Sequence, residues 1–269
     1  VTQGALTDPA TGGAEARLAR PQRRAAWHVA RVTEVRPETA SAVRLVLDVP
    51  TWPGNDAGAH LDVRLTAPDG YQATRSYSVA SAGDGTQVVL AVDEVPDGEV
   101  SPFLVHDLRP GDQLELHGPL GAFFVWRPGR DTRPVQLIAG GSGVVPLYAM
   151  ASLHGAASDP TAFRLLYSVR TPQDVFFADE LASLSGAATH DGSTLGLDLV
   201  WTRRAPDSSP DAVGRLTRQT LAARTIPAAD RPLVYVCGPT GFVEAIAGWL
   251  QEAGHDAADI RTERFGGTP

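Results

Sequence analysis

Lysine is absent from the chain, whose 23 basic residues are all arginine. Chemistry that depends on a lysine amine is therefore excluded. Schiff-base formation and the lysine of a phosphate-binding ATPase loop both fall here. Cysteine is almost absent: Cys237 is the only one in 269 residues. No disulfide can close within the chain, and no cysteine cluster in it can hold zinc or an iron–sulfur centre. No metal site is expected, and a cytoplasmic compartment is. Nowhere do 18 apolar residues run together, so neither a membrane span nor a membrane partner is expected. Positive charge is also in deficit, with a formal net charge of −8. A phosphate-backbone binder needs a basic footprint, so nucleic acid is not an expected partner.

The chain is long enough for one large domain or two ordinary ones. Its opening, VTQGALTDPATGGAEARLARPQRR, carries its arginines after the mixed stretch, unlike a signal peptide. Residues 1–25 read as a mobile tail. Residues 26–130 hold short strands between turns: WHVARVTEVR, AVRLVLDVP, AHLDVRLTAPDG, TQVVLAVDEV and DQLELHGP. Such spacing predicts an antiparallel β-barrel or sandwich. SPFLVHDL is the exception; Ser101 could cap a short helix with Pro102 in its first turn. After RPGRDTRP the rhythm changes. Residues 131–269 alternate apolar strands (VQLIAGG, AFRLLYSV, LGLDLVWTR, PLVYVCG) with helical stretches (VVPLYAMASLHG, DVFFADELASL, GRLTRQTLAARTI, TGFVEAIAGWLQEAG). That predicts an α/β domain around a parallel sheet. The long loop RRAPDSSPDAVGR has no periodicity and suggests ligand contact.

Four strand ends in the second half carry candidate ligand chemistry. In LIAGGSGVVPLYAM, a glycine turn joins a buried strand to a helix, with Gly141, Ser142, Gly143, Val144 and Pro146 forming a G-x-G-x-x-P pattern. Glycines let a phosphate approach the backbone, and the helix start offers N–H donors; a plain tight turn is the alternative. Ser168 and Arg170 end the next strand, and Arg203 and Arg204 the one after. Guanidinium groups there suit an extra phosphate, as on NADPH, or are ordinary solvated arginines. Cys237, Gly238 and Pro239 end the last of these strands. The thiol is expected at a cleft rim, though burial is the common fate of a lone cysteine. In the first half, RSYSVAS alternates so that Arg75 and Tyr77 share one side of a strand and Ser76 and Ser78 the other. A flavin nucleotide would use all three chemistries, pairing phosphate, packing a ring and hydrogen-bonding near N5.

Taken together, these motifs resemble the ferredoxin–NADP reductase superfamily over residues 27 to 267. Arg75, Tyr77 and Ser78 match its R-x-Y-S signature. Gly98, Glu99, Val100 and Ser101 match the G-x-x-S motif that cups the pyrophosphate. HGPLGAFF, AGGSGVVP, YSVRTPQDVFFADEL, YVCGP and the terminal RTERFG match later segments. The resemblance implies a two-domain fold, an antiparallel FAD-binding β-barrel followed by an α/β parallel-sheet NAD(P)-binding domain. It implies FAD and NADP as cofactors, with NAD as the alternative, and hydride transfer between them. Val92 is assigned to the same flavin site. Ser78, Cys237 and Phe265 are assigned to the reacting end. Phe265 is expected near the flavin ring, or else Gly266 and Gly267 leave room for the adenine. The acceptor implied is a protein such as ferredoxin or flavodoxin. A stand-alone flavin or ferric reductase and a non-catalytic electron-transfer subunit are the alternatives. A single cysteine leaves no place in this chain for the iron–sulfur domain of many oxygenase reductases, and the leading 25 residues are too few for a globin domain.

Overall fold

The computed structural model describes residues 24–157, 159–186, 195–209 and 212–266. Most of the expected N-terminal tail, residues 1–23, lies outside them, as does Gly267.

Six strands form the first sheet: β1 (Ala26–Pro37), β2 (Ala42–Asp48), β3 (His60–Thr66), β4 (Gln72–Ser78), β5 (Gln87–Asp93) and β6 (Gln113–Leu120). Their order is β4-β3-β6-β1-β2-β5, all antiparallel. The two edge strands meet just beyond β4, where the Ala80 N–H donates to the Val89 carbonyl at 2.8 Å and Val79 bridges Leu90. This closes the sheet into a barrel and removes the free edge. Alternate residues face inward, and Leu45, Leu47, Leu61, Val63, Leu90 and Leu116 fill the interior.

The expected short helix is present over residues 101–107, with Phe103–Asp107 forming a π-helical turn. Ser101 does not cap it. Its hydroxyl accepts from the Val95 N–H at 3.0 Å and ties together the loop between β5 and the turn. Leu104 and Leu108 plug the barrel end, each stabilising by roughly 1.5–3 kcal/mol through burial.

The second sheet is parallel, ordered β11-β10-β7-β8-β9. It contains β7 (Val135–Gly140), β8 (Phe163–Val169), β9 (Gly196–Trp201), β10 (Leu233–Pro239) and β11 (Ile260–Phe265). Helices α1 (Val144–Ala157) and α2 (Ala178–Gly186) pack on the barrel side; α3 (Arg218–Arg224) and α4 (Thr240–Glu252) pack on the other. Both faces are covered, which explains the continuous apolar runs of β7 and β10. Among the described residues no helix is long and apolar enough to cross a membrane.

Helix limits depart from the sequence pattern in three places. α1 runs through Gly155 to Ala157. α2 begins only at Ala178, because Phe177 takes a left-handed conformation (φ 54°) after a short turn at Pro172–Asp174. α3 begins after Thr217, whose hydroxyl accepts from the Thr220 N–H at 3.1 Å.

The two domains share one apolar seam. Ala42, Ala57, Ala80 and Ala91 of the barrel pack with Leu147, Met150, Tyr167 and Cys237 of the α/β domain. A buried ion pair reinforces the seam. Arg44 binds Glu38 within the barrel and Glu180 on α2, while the Glu38 carboxylate accepts from the Phe177 N–H. Burial opposes the Arg44 charge, but the two carboxylates outweigh it and hold the guanidinium above its usual range. Any site between the domains therefore lies beside this ion-pair network.

Candidate functional site

The end of β4 places the opening constellation as the alternation predicted. Ser76 donates to Asp62 across to β3, on the face opposite Arg75 and Tyr77. Tyr77 packs against the barrel core, and burial pushes its hydroxyl up to about 12 despite nearby Arg75. Ser78 reaches out of the barrel altogether. Its hydroxyl donates to Glu263 Oε1 on β11 at 2.8 Å.

Glu263 sits opposite Cys237 in the β10–β11 register. Burial raises its carboxyl above the ordinary range, with the Ser78 hydrogen bond opposing. Cys237 has no exposed surface. The expected thiol at the cleft rim is thus corrected: burial first, and the Glu263 charge second, push its pKa well up. Cys237 is no thiolate nucleophile here. It is buried because the turn after it is folded against another. A Cβ built on Gly143 would lie 2.3 Å from the Cys237 carbonyl oxygen and 2.7 Å from Gly238 Cα. The β7–α1 and β10–α4 turns therefore nest backbone to backbone, and only glycine at 143 permits it.

Gly141 faces the other way. Its φ is +55°, it is exposed, and nothing lies within 4 Å of the position its Cβ would take. Ser142 is half-buried beside it. This is an open approach to the start of the 14-residue helix α1, as a phosphate requires. Val144 and Pro146 are buried in the core, so their side chains shape the turn and do not line the opening.

Ser168 ends β8 opposite Gly140. The N–H groups of Arg203 and Arg204 both donate to the Arg170 carbonyl, at 3.0 and 3.1 Å. Three exposed guanidinium-bearing residues thus meet at one edge, with Arg204 also donating to Gln173 at 2.6 Å. Pro239 pairs with Phe265 at the neighbouring strand ends. Phe265 is half-buried against the core shared by both domains.

The pyrophosphate candidates are partly as expected. A Cβ on Gly98 would lie 2.9 Å from the Val95 carbonyl, so the loop is drawn tight there. Glu99, however, bonds the Arg75 guanidinium and accepts from the Tyr71 hydroxyl at 2.6 Å. The Tyr71 hydrogen bond and then that of Arg75 hold its carboxyl below the usual range. The Glu99 side chain thus competes for Arg75, and only its backbone N–H is left to face a phosphate. Val92 and Val100 are sealed in the barrel core, so only their backbone could face a ligand.

The residues fit a flavin dinucleotide at the end of β4, with a guanidinium, an aromatic ring and a hydroxyl, and a nicotinamide nucleotide at the glycine cradle of α1, the two sides being joined by the Ser78–Glu263 hydrogen bond. Glu263 is the functional candidate that sequence reasoning passed over. Its signal was the E-x-F spacing, which puts it on the same strand face as Phe265.

Comparison with known proteins agrees with this layout. An oxidoreductase FAD-binding domain model matches residues 29–125, and an oxidoreductase NAD-binding domain model matches residues 137–248. Together they cover more than half of the chain. The glycine betaine monooxygenase reductase subunit of Chromohalobacter salexigens is 30% identical over 203 residues, 75% of this chain and 54% of that protein. The chain thus spans about half the length of this relative. The FAD/NAD-binding domain of a nitric oxide dioxygenase from Vibrio cholerae superposes with a TM-score of 0.75 at 26% identity, covering 89% of this chain and 99% of that one. An Amycolatopsis cytochrome P450 reductase gives 0.78 at 26% identity, covering 93% and 73%.

Proposed function

The chain belongs to the ferredoxin reductase-like family, with an FAD-binding barrel followed by an NAD-binding α/β domain, and from this we propose that it carries electrons from NADPH through FAD to a protein acceptor. The acceptor best suited is a ferredoxin or flavodoxin; NADH is the alternative donor. The observation that carries the reading is the 2.8 Å contact between Ser78 and Glu263, which joins the flavin-side strand to the strand beside Cys237.

When bound, FAD accepts a hydride from the reduced nicotinamide and releases the electrons singly. The chain supplies position and charge. Arg75 would pair with the pyrophosphate, Tyr77 would pack on the ring system, and Ser78 would donate a hydrogen bond near the reacting end. Gly141 and Gly143 let the second nucleotide approach the backbone at α1. Buried Cys237 and half-buried Glu263 would line the reacting end and limit water there. Phe265 closes the edge beside Pro239.

The test is direct. The purified protein should take up FAD and turn yellow, and anaerobic NADPH should bleach the flavin band. Replacing Arg203 and Arg204 with alanine should raise KM for NADPH by roughly 10–100-fold, the worth of one or two charge-assisted hydrogen bonds, and leave NADH unaffected. Equal use of NADH by the unmodified protein would remove the NADPH preference. A colourless protein that refuses FAD would remove the whole reading.

Glu99 gives a second expectation. Arg75 cannot fully serve both a carboxylate and a phosphate, so Glu99→Gln should tighten FAD binding by roughly tenfold, as expected for one released charge-assisted contact. Flavin fluorescence titration reads this. Unchanged affinity in Glu99→Gln would show that the Arg75–Glu99 pair does not oppose the cofactor.

A further inference from the structure

Resting on the reading that electrons leave to a protein acceptor, we propose that the groove between residues 122–131 and the amino ends of β10 and β11 docks an acidic acceptor protein, with Phe123, Arg130 and Arg261 as its recognition surface. The groove has a volume of about 230 Å³. That is below the roughly 300–1,000 Å³ of pockets that enclose whole small-molecule ligands, and it suits one or two anchoring side chains.

Four independent features coincide there. Phe123 lines the groove and is 64% exposed, the highest value among the large hydrophobic residues described. Arg261 lines it too, with its guanidinium 5.6 Å from the Phe123 ring centre and 5.2 Å from that of Tyr235. It donates only to neutral oxygens, the Val125 carbonyl at 3.0 Å and the Tyr235 hydroxyl at 2.8 Å. Arg130 stands exposed at the mouth, and among the described residues neither it nor Arg261 has an ion-pair partner. The nearby carboxylates are already engaged: Asp131 with Arg133, and Asp56 with Arg127. Last, Trp126 lines the groove, and its buried indole N–H is the one side-chain polar atom of its kind without a partner among the described residues.

Charge selects the occupant. A chain of net charge −8 repels an acidic protein over most of its surface. Two arginines outside any ion pair among the described residues, beside an exposed aromatic ring and with Asp131 held mainly by Arg133, make this groove the place where such a partner is attracted and oriented. Aromatic and arginine anchors are also the side chains that dominate binding energy at protein interfaces. Arg261 shares a face of β11 with Glu263, two residues and roughly 7 Å along the strand, and Glu263 holds Ser78.

The test uses the FAD-loaded full chain with three acceptors: an acidic [2Fe–2S] ferredoxin, basic cytochrome c and ferricyanide. Phe123→Ala and Arg130→Glu change exposed side chains that hold nothing in place. Each should lower kcat/KM for the ferredoxin tenfold or more. The ferricyanide rate should be unchanged, and the cytochrome c rate unchanged or raised. The ferredoxin rate of the unmodified protein should also fall steeply with ionic strength. Equal ferredoxin kinetics in the variants would overturn the proposal. So would failure of the unmodified protein to reduce ferredoxin while ferricyanide is reduced. A dimer that the variants dissociate in sedimentation would give the groove to a second copy. Competition by millimolar inorganic phosphate at constant ionic strength would give it to a small anion. Either result overturns an acceptor site. An unmodified protein that cannot reduce even ferricyanide removes the parent reading itself, a result distinct from any failure of docking.

Discussion

Gly143→Ala is expected to lower the melting temperature by roughly 5–10 °C and to slow nucleotide-driven flavin reduction by about two orders of magnitude. The added methyl would sit 2.3 Å from the Cys237 carbonyl oxygen and 2.5 Å from its carbon. Both are backbone atoms of a central strand, with β7 and β11 on either side. They cannot swing away as a side chain would, so one turn must shift. Overpacking of this kind costs about 1–3 kcal/mol, occasionally more, and a domain of this size loses roughly 2–4 °C per kcal/mol. The shift also moves the strand end that carries Cys237, and a displacement of about 1 Å at a reacting site can cost 10²-fold. Gly141→Ala is the control. Its φ is +55°, but its methyl would meet nothing within 4 Å. Only the left-handed backbone penalty of roughly 1–2 kcal/mol remains. A methyl at Gly141 also obstructs the nucleotide's approach and so raises KM, and calorimetry together with the limiting reduction rate at saturating nucleotide should therefore separate the two variants. If Gly143→Ala is as well tolerated as Gly141→Ala, the nested turns do not set the site.

Ser78→Ala and Glu263→Gln should each slow flavin reduction by roughly 10²-fold, in the range of a lost positioned polar group, with FAD retention little changed. Their effects on stability should differ. Ser78→Ala leaves the Glu263 carboxylate buried without the donor that opposes its burial. Its pKa should rise further, and stability at neutral pH should fall. Glu263→Gln removes the charge instead.

The folded-state pKa of Glu263 lies above the ordinary 4.5. Within the window from 4.5 up to that folded value, the folded chain binds more protons than the unfolded one. This group's contribution therefore favours the fold at low pH and is lost as pH rises through the window. Glu263→Gln should flatten that slope and raise the melting temperature above it, while activity falls. Melting curves across pH read the sign; an unchanged slope in Glu263→Gln would show that the carboxylate does not titrate differently on folding.

The positions of Arg75, Tyr77 and Ser78 were legible because a strand fixes alternation, and alternation fixes sides. The glycine turn before α1 was legible for a similar reason: Gly141 and Gly143 stand between an apolar strand and a helical period, and few conformations join those. β11 was not legible as a strand. Ile260–Phe265 is short, mixed in polarity and at a sheet edge, and its pairing partner β10 lies across α4. Glu263 was missed with it, since only the paired strand brings that carboxylate to Ser78, 185 residues away in sequence. The Ser101 cap failed because a serine hydroxyl bonds whichever backbone N–H the loop brings near, and here that was Val95. The burial of the Val92 side chain and the hold of Glu99 on Arg75 were not legible, because period and motif give no depth and no account of competing charge.

The sequence by itself determined the two-domain order, the sheet type in each half, the strand ends that bear ligand chemistry and the absence of lysine and cysteine-cluster chemistry in this chain. These follow from local rules, since period, turn residues and composition act over a few positions. Tertiary structure alone decided that Cys237 is sealed and that Glu99 holds Arg75. It also decided that Ser78 meets Glu263 and that Phe123, Arg130 and Arg261 share a groove. Each of those depends on contacts between segments far apart in the chain, and burial and charge pairing are properties of the packed whole.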